Sequence, residues 1–143
     1  MAGFSFGGVD DLMLSLEEVA QIPEDVQIEM LQAQAEVVAK AQQQYGRLYR
    51  VQDTGVMLSK IKPGRPKIRK GIPVIYVTPT GTRLRGKENP KRVRNAEIAF
   101  INEYGKKGQK ARPFIRAANE ASAEATTRAG LEVYDRWLTS KNL

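Results

Sequence analysis

Pro23-Glu-Asp-Val-Gln-Ile-Glu-Met-Leu-Gln-Ala-Gln-Ala-Glu-Val-Val-Ala-Lys-Ala-Gln-Gln-Gln-Tyr-Gly-Arg-Leu-Tyr-Arg-Val51 sets the architecture of the chain. Within it Val26, Met30, Ala33, Val37, Ala41 and Leu48 recur at steps of four, three, four, four and seven, close to the helical period. Pro23 suits a helix's first turn, and Glu24 and Asp25 put negative charge beside the exposed N–H groups there. The spacing predicts one helix from about residue 23 to about residue 51, roughly 40 Å long at ~1.5 Å per residue. That is long for a chain of 143 residues, so part of its surface is expected to be covered by another subunit.

Upstream, Val9, Leu12, Leu16 and Val19 predict a short amphipathic helix that ends at Ile22-Pro23. Residues 1–8 are Gly- and Ser-rich and read as a flexible arm. Its Phe4 and Phe6 either tuck onto the chain's own core or anchor on a neighbouring subunit. Downstream, Asp53-Thr54-Gly55 should break the long helix, and the alternation from Val56 to Lys62 reads as a strand. Ile72 to Thr78 is the most strand-like run, entered through Pro73. Residues 80–94 carry Arg83, Arg85, Lys87, Lys91, Arg92 and Arg94 with little to bury, and predict a loop that is mobile or ordered by a partner. Asn95 to Gly105 alternates once more, with Ala96, Ile98 and Phe100 on one face, and reads as another strand. Pro113 then opens a last helix with the stripe Phe114, Ala117, Ala118, Ala121, Ala125, Ala129, Val133 and Trp137, small enough to lie tight against a sheet. The order predicts an α+β fold, a long N-terminal helix and a C-terminal helix packed on a small, mainly antiparallel sheet, with residues 9–143 as a single domain.

Composition narrows the chemistry. The chain has no cysteine and no histidine, which removes disulfides, thiolate nucleophiles, and the commonest general base and zinc ligand. No catalytic, metal-binding or cofactor-binding residue is nominated, and an enzyme is not expected. The first residues lack a basic n-region, so no signal peptide is expected. The longest apolar stretch, Ile72 to Val77, is far short of the ~20 residues of a membrane helix. Charge is segregated: residues 1–46 carry −7, residues 47–116 carry +15 and residues 117–143 carry −1. Such a basic block can face nucleic acid or the acidic patch of another subunit.

Three motifs bear on chemistry. Gly81-Thr-Arg-Leu-Arg-Gly86-Lys87-Glu88 nearly matches a phosphate-binding loop, but Glu88 replaces the magnesium-holding hydroxyl, and Asn89-Pro90 prevents the helix that should follow. Gly105-Lys-Lys-Gly108 fits a backbone-clamping G-x-x-G loop but follows a predicted strand instead of joining two helices. Glu97 and Glu103 fall on one face of that strand, without a cleft to make them an acid–base pair.

Ala99-Phe-Ile-Asn-Glu-Tyr-Gly105, followed after a short loop by Ala111-Arg-Pro-Phe-Ile-Arg-Ala-Ala118, resembles the signature of the phage tail-component family of neck and tail-completion proteins. The Thr54-Gly55 step after a long helix is similar to that family's pattern too, and the resemblance spans roughly residues 24–138. It implies a small α+β subunit that forms a homo-oligomeric ring, commonly sixfold, at the head-proximal end of a phage tail or phage-tail-like particle. Such a ring would complete the tail and join it to the head, touching connector or neck proteins on one side and tail-tube or terminator proteins on the other. DNA would pass through its centre. The chain would then be a virion protein, assembled in the host cytoplasm. Two departures stand out: Lys106 follows Gly105 where the family often has Gly-Thr, and residues 80–94 are unusually basic.

On this resemblance Glu103, Gly105, Arg112, Pro113 and Phe114 are the signature residues. Gly105 is expected to make a positive-φ turn, Pro113 to start the helix and Phe114 to lock it to the sheet. Arg112 is expected to face a carboxylate, either Glu103, an acid of the first two helices, or one across an interface. Arg83, Arg85, Lys87, Lys91, Arg92 and Arg94 become the lumen- or partner-facing cations. The alternative is a nonspecific nucleic-acid-binding module that uses residues 60–94, where only Tyr76 could stack on a base.

Overall fold

The computed structural model describes residues 3–4, 14–15, 21–51, 55–86 and 89–141. Helix α1 spans Glu24–Leu48, α2 is a single turn at Val56–Ser59, α3 spans Asn95–Tyr104 and α4 spans Phe114–Ser140. The strands are β1 (Gly3–Phe4), β2 (Leu14–Ser15), β3 (Ile61–Pro63), β4 (Lys67–Arg69), β5 (Ile72–Val74), β6 (Val77–Pro79), β7 (Thr82–Gly86) and β8 (Asn89–Arg94). They pair as four separate antiparallel couples, β1–β2, β3–β6, β4–β5 and β7–β8. The fold is α+β, and among the described residues its β structure lies in two-stranded ribbons.

The long helix forms because Ala, Gln, Glu and Leu dominate it and Pro23 stands at its N-cap. Its end is a Schellman motif: Val51 N–H donates to the Gly46 carbonyl at 3.0 Å and Arg50 N–H to that of Arg47 at 3.1 Å, with Arg50 at φ +56°. The chain therefore turns at Arg50, before the Asp53-Thr54-Gly55 break read from the sequence. Gly55, at φ +79°, then starts α2 where a strand was expected, and the strand proper begins only at Ile61.

Helices α1 and α4 lie antiparallel and form the largest interface of the molecule. The expected stripes are rotated: α1 buries Val26, Ala35, Ala39, Gln42 and Gly46, and α4 buries Phe114, Ala118, Ser122, Thr127, Gly130 and Val133. Ala121 and Ala125 face solvent. The small residues of α4 thus serve close approach to a helix rather than to a sheet. Two apolar clusters result. The larger joins Ala39, Val51, Met57, Leu58, Ile61, Ala99 and Phe114; the smaller joins Ile22, Val26 and Val133 with Met30, Tyr134 and Trp137 packed on it.

Asn95–Gly105 is helix α3 for ten of its residues, not a strand. Its apolar residues satisfy both periods, and burial of Asn95, Ala99, Asn102 and Glu103 at steps of four, three and one follows the helical one. The run Ile72–Thr78 is split at Ile75-Tyr76 into β5 and β6, which pair with different strands. Residues 82–86 and 89–94, within the stretch expected as a loop, pair as the antiparallel strands β7 and β8. Of the predicted helix 9–20 only Leu14–Ser15 is described, and it pairs with Gly3–Phe4 as a strand. The rest of that helix and most of arm 1–8 lie outside the described residues.

Candidate functional site

Residues Glu103 to Phe114 form one clasp at the corner between α3 and α4. Helix α4 starts at Pro113, whose ring offers no capping group, so its first N–H groups need an outside acceptor. Glu103 supplies it from the neighbouring helix: Oε2 accepts from Ile115 N–H at 2.8 Å and Oε1 from Arg116 N–H at 3.0 Å. A buried carboxylate at a helix N-terminus is also favoured by the helix dipole. Gly105 ends α3 at φ +80° and ψ 178°, and a Cβ there would stand 2.9 Å from both Ala111 N and Gln109 O. No side chain fits. Lys106 and Gln109 then exchange backbone hydrogen bonds of 3.0 and 2.9 Å, and Phe114 inserts, fully buried, into the larger cluster.

Arg112 belongs to the clasp but does not meet a carboxylate of its own chain among the described residues. Its Nη1 donates to the Arg50 carbonyl at 2.7 Å, tying the end of α1 to the start of α4. Glu97 and Glu103 are also apart in role, Glu97 being exposed and Glu103 buried under α4. Among the described residues no group of three His, Cys, Asp or Glu could hold a metal ion, and no helix is long and apolar enough to cross a membrane.

Two concavities flank the clasp. A polar cleft of about 660 Å³ gathers Arg50, Arg83, Lys106 and Arg112 with Glu97, Asn102 and Gln109. A shallower groove of about 530 Å³ runs past Val77, Pro79, Ala99 and Ile115 to Phe100 and Tyr104. Phe100 is 61% exposed and Tyr104 70%, with ring centroids 4.8 Å apart. An exposed aromatic pair beside an apolar groove is the composition that protein interfaces favour.

The cations of 80–94 do not act as one group. Arg83 pairs opposite buried Val93 and lines the polar cleft, whereas Lys91, Arg92 and Arg94 are exposed. Arg92 grips its own ribbon, Nε to Thr82 Oγ1 at 2.8 Å and Nη2 to the Thr82 carbonyl at 3.1 Å. Arg85 lies on β7, and Lys87 is outside the described residues. Sequence reading passed over Asn95, whose fully buried amide donates to the Thr80 carbonyl at 2.8 Å and fixes the base of the hairpin to α3. It also passed over Phe100 and Tyr104 as a pair, because a strand would have put them on the same face two registers apart, with neither singled out. No protein-family model, no curated protein and no solved structure matches this chain.

Proposed function

We propose that the chain is a structural subunit of a homo-oligomeric ring, commonly sixfold in proteins of this kind, at the neck or head-proximal end of a phage tail or phage-tail-like particle. There it completes the tail and joins it to the head. The observation that supports this reading is the α3–α4 corner. The residues that carry the resemblance act together as one clasp, and that clasp presents the Phe100–Tyr104 pair and its groove outward. Surfaces that fit other proteins are what a ring subunit needs. Its partners are copies of itself, connector or neck proteins, and tail-tube or terminator proteins.

Native mass spectrometry of the chain, alone and after incubation with purified connector or tail-tube proteins, tests the proposal. Closed rings on at least one of these templates are expected, and loss of them in Phe100→Ser/Tyr104→Ser. A chain that stays monomeric with every partner rules the reading out. The second reading, a nonspecific nucleic-acid-binding module using residues 60–94, is favoured by one observation, the two basic ribbons β4–β5 and β7–β8.

A further inference from the structure

Residues 60–80 build a single long ribbon. Ile61, Lys62 and Pro63 pair with Pro79, Thr78 and Val77; Gly64 N–H reaches the Tyr76 carbonyl at 2.8 Å; and Lys67, Ile68 and Arg69 pair with Val74, Pro73 and Ile72. One extra residue on the outgoing strand shifts the register between the two halves, as a bulge does. Lys70 and Gly71 close the tip at φ +52° and +77°, the positive values that a two-residue hairpin turn of right-handed twist requires. The base is held in the core by buried Ile61 and Pro79, while every residue from 64 to 72 is exposed.

The charge on this ribbon is one-sided. From residue 55 to residue 87 the sequence has nine Lys and Arg and no acid, and six of the nine, Lys60, Lys62, Arg65, Lys67, Arg69 and Lys70, sit on the ribbon. The ion pairs Arg116–Glu120, Arg128–Glu124 and Arg136–Glu29 lie on the helices and involve none of these six cations. Near the tip, Lys67 Nζ and the Arg69 guanidinium stand 5.9 and 5.4 Å from the centroid of Tyr76. The ring seats two cations on the same ribbon face at a defined spacing. Ile68 and Ile72, 51% and 63% exposed, add apolar contact at the tip.

We infer that the outer half of this ribbon, residues 64–76, is a binding site for the phosphate backbone of nucleic acid. Lys67, Arg69 and Lys70 contact phosphates, and Tyr76 positions the first two. A two-stranded ribbon is narrow enough to enter the major groove of a duplex, and its cations, none of them in an ion pair with a described residue, replace condensed counterions. This deepens the second reading above and is independent of ring formation.

Fluorescence anisotropy of the full chain with labelled mixed-sequence DNA, as a duplex and as a single strand, tests it across about 50 to 200 mM salt. With those three phosphates and one or two more at Arg65 and Lys62 neutralised, duplex affinity should fall roughly 150- to 500-fold over that range. K67Q/R69Q/K70Q should flatten the logarithmic salt slope by about 2.7, at about 0.9 per lost contact. The equal charge change K40Q/R47Q/K141Q, at exposed helical-side positions, should leave the slope unchanged. Equal losses in both triple variants would mean that net charge alone acts, and would overturn the site. Y76F should bind as the parent does, and Y76A about tenfold more weakly; no loss in Y76A overturns the positioning role. Tighter binding to labelled polyglutamate than to either DNA would assign the ribbon to an acidic protein instead. DNA binding without rings leaves this inference standing and removes the first reading; rings without DNA binding do the reverse.

Discussion

Glu103 shows how much one side chain can organise. Its two oxygens satisfy two N–H groups of a helix that has proline at its cap position, so the start of α4 depends on a residue eleven positions upstream of Phe114. Glu103→Ala leaves both donors unpaired in a partly buried corner and should destabilise by about 1–3 kcal/mol. Glu103→Gln, which keeps an accepting oxygen but loses the charge, should cost about half as much. Chemical denaturation of the three proteins measures the order, and equal midpoints would mean that water caps the helix equally well. Phe114, one turn inside the same clasp and fully buried, contributes by packing. Phe114→Ala should cost about 3–5 kcal/mol, a large share of the stability of a domain this size. An unchanged denaturation midpoint would show that the core closes without it. Because Glu103 and Phe114 secure the same helix start, their double variant should lose less than the sum of the two singles.

At the scale of elements, the ends of α1 and α3 decide where the chain goes next. Arg50 occupies the left-handed position of the Schellman motif, where a Cβ costs energy and glycine does not. Its carbonyl accepts the Arg112 hydrogen bond and survives substitution. Arg50→Gly should therefore stabilise by a few tenths to about 1 kcal/mol after the extra flexibility of the unfolded chain is counted, read as a rise in melting temperature. The two long helices were legible because Pro23 and Pro113 mark their starts and their patterns run for many turns. Their buried faces were less so, since Gly46 lies flush against Leu58 and Gly130 against Gln34, and a glycine at a contact leaves no mark in hydropathy. Helix α3 was misread because its buried face carries polar residues: Asn95 and Glu103 face inward to bind backbone groups of distant segments, and Asn102 donates to the Ile98 carbonyl of its own helix. Nor did single-residue alternation in 56–62 reveal that Gly55 would start a helical turn. In the candidate site, Gly105, Pro113 and Phe114 were legible from local backbone chemistry. The backbone carbonyl that receives Arg112 was not, because sequence carries no sign of a distant main-chain acceptor.

For the whole molecule, the helical pair is uneven along its length. Phe114 and Ala39 tie one end to the larger cluster, where α2, α3 and the ribbon base also pack. The middle is a seam of small and polar groups, Ala35, Ser122, Thr127 and Gly130; nearer the clasp Gln42 Nε2 donates to Asn119 Oδ1 at 3.1 Å, while Gln42 Oε1 and Ser122 Oγ have no hydrogen-bond partner among the described residues. Beyond it, the small cluster of Ile22, Val26 and Val133 with its fringe of Met30, Tyr134 and Trp137, together with the exposed Arg136–Glu29 ion pair, holds the far end. Free energy of local opening follows buried apolar contact, so this far end should open without the rest. Trp137 is the only tryptophan in the chain and stands in that cluster, which makes its fluorescence a reporter of the far end alone. In a denaturant titration the Trp137 signal should change at lower concentration than far-UV circular dichroism, which follows all the helices. Backbone amides of residues 26–33 and 130–137 should likewise exchange faster than those of 39–46 and 116–122. Superimposable transitions and uniform protection would mean that the seam transmits stability along the full length of the pair. A far end that opens separately, by contrast, gives the molecule one rigid corner, at the clasp, and one adjustable end that can be ordered by whatever packs against it.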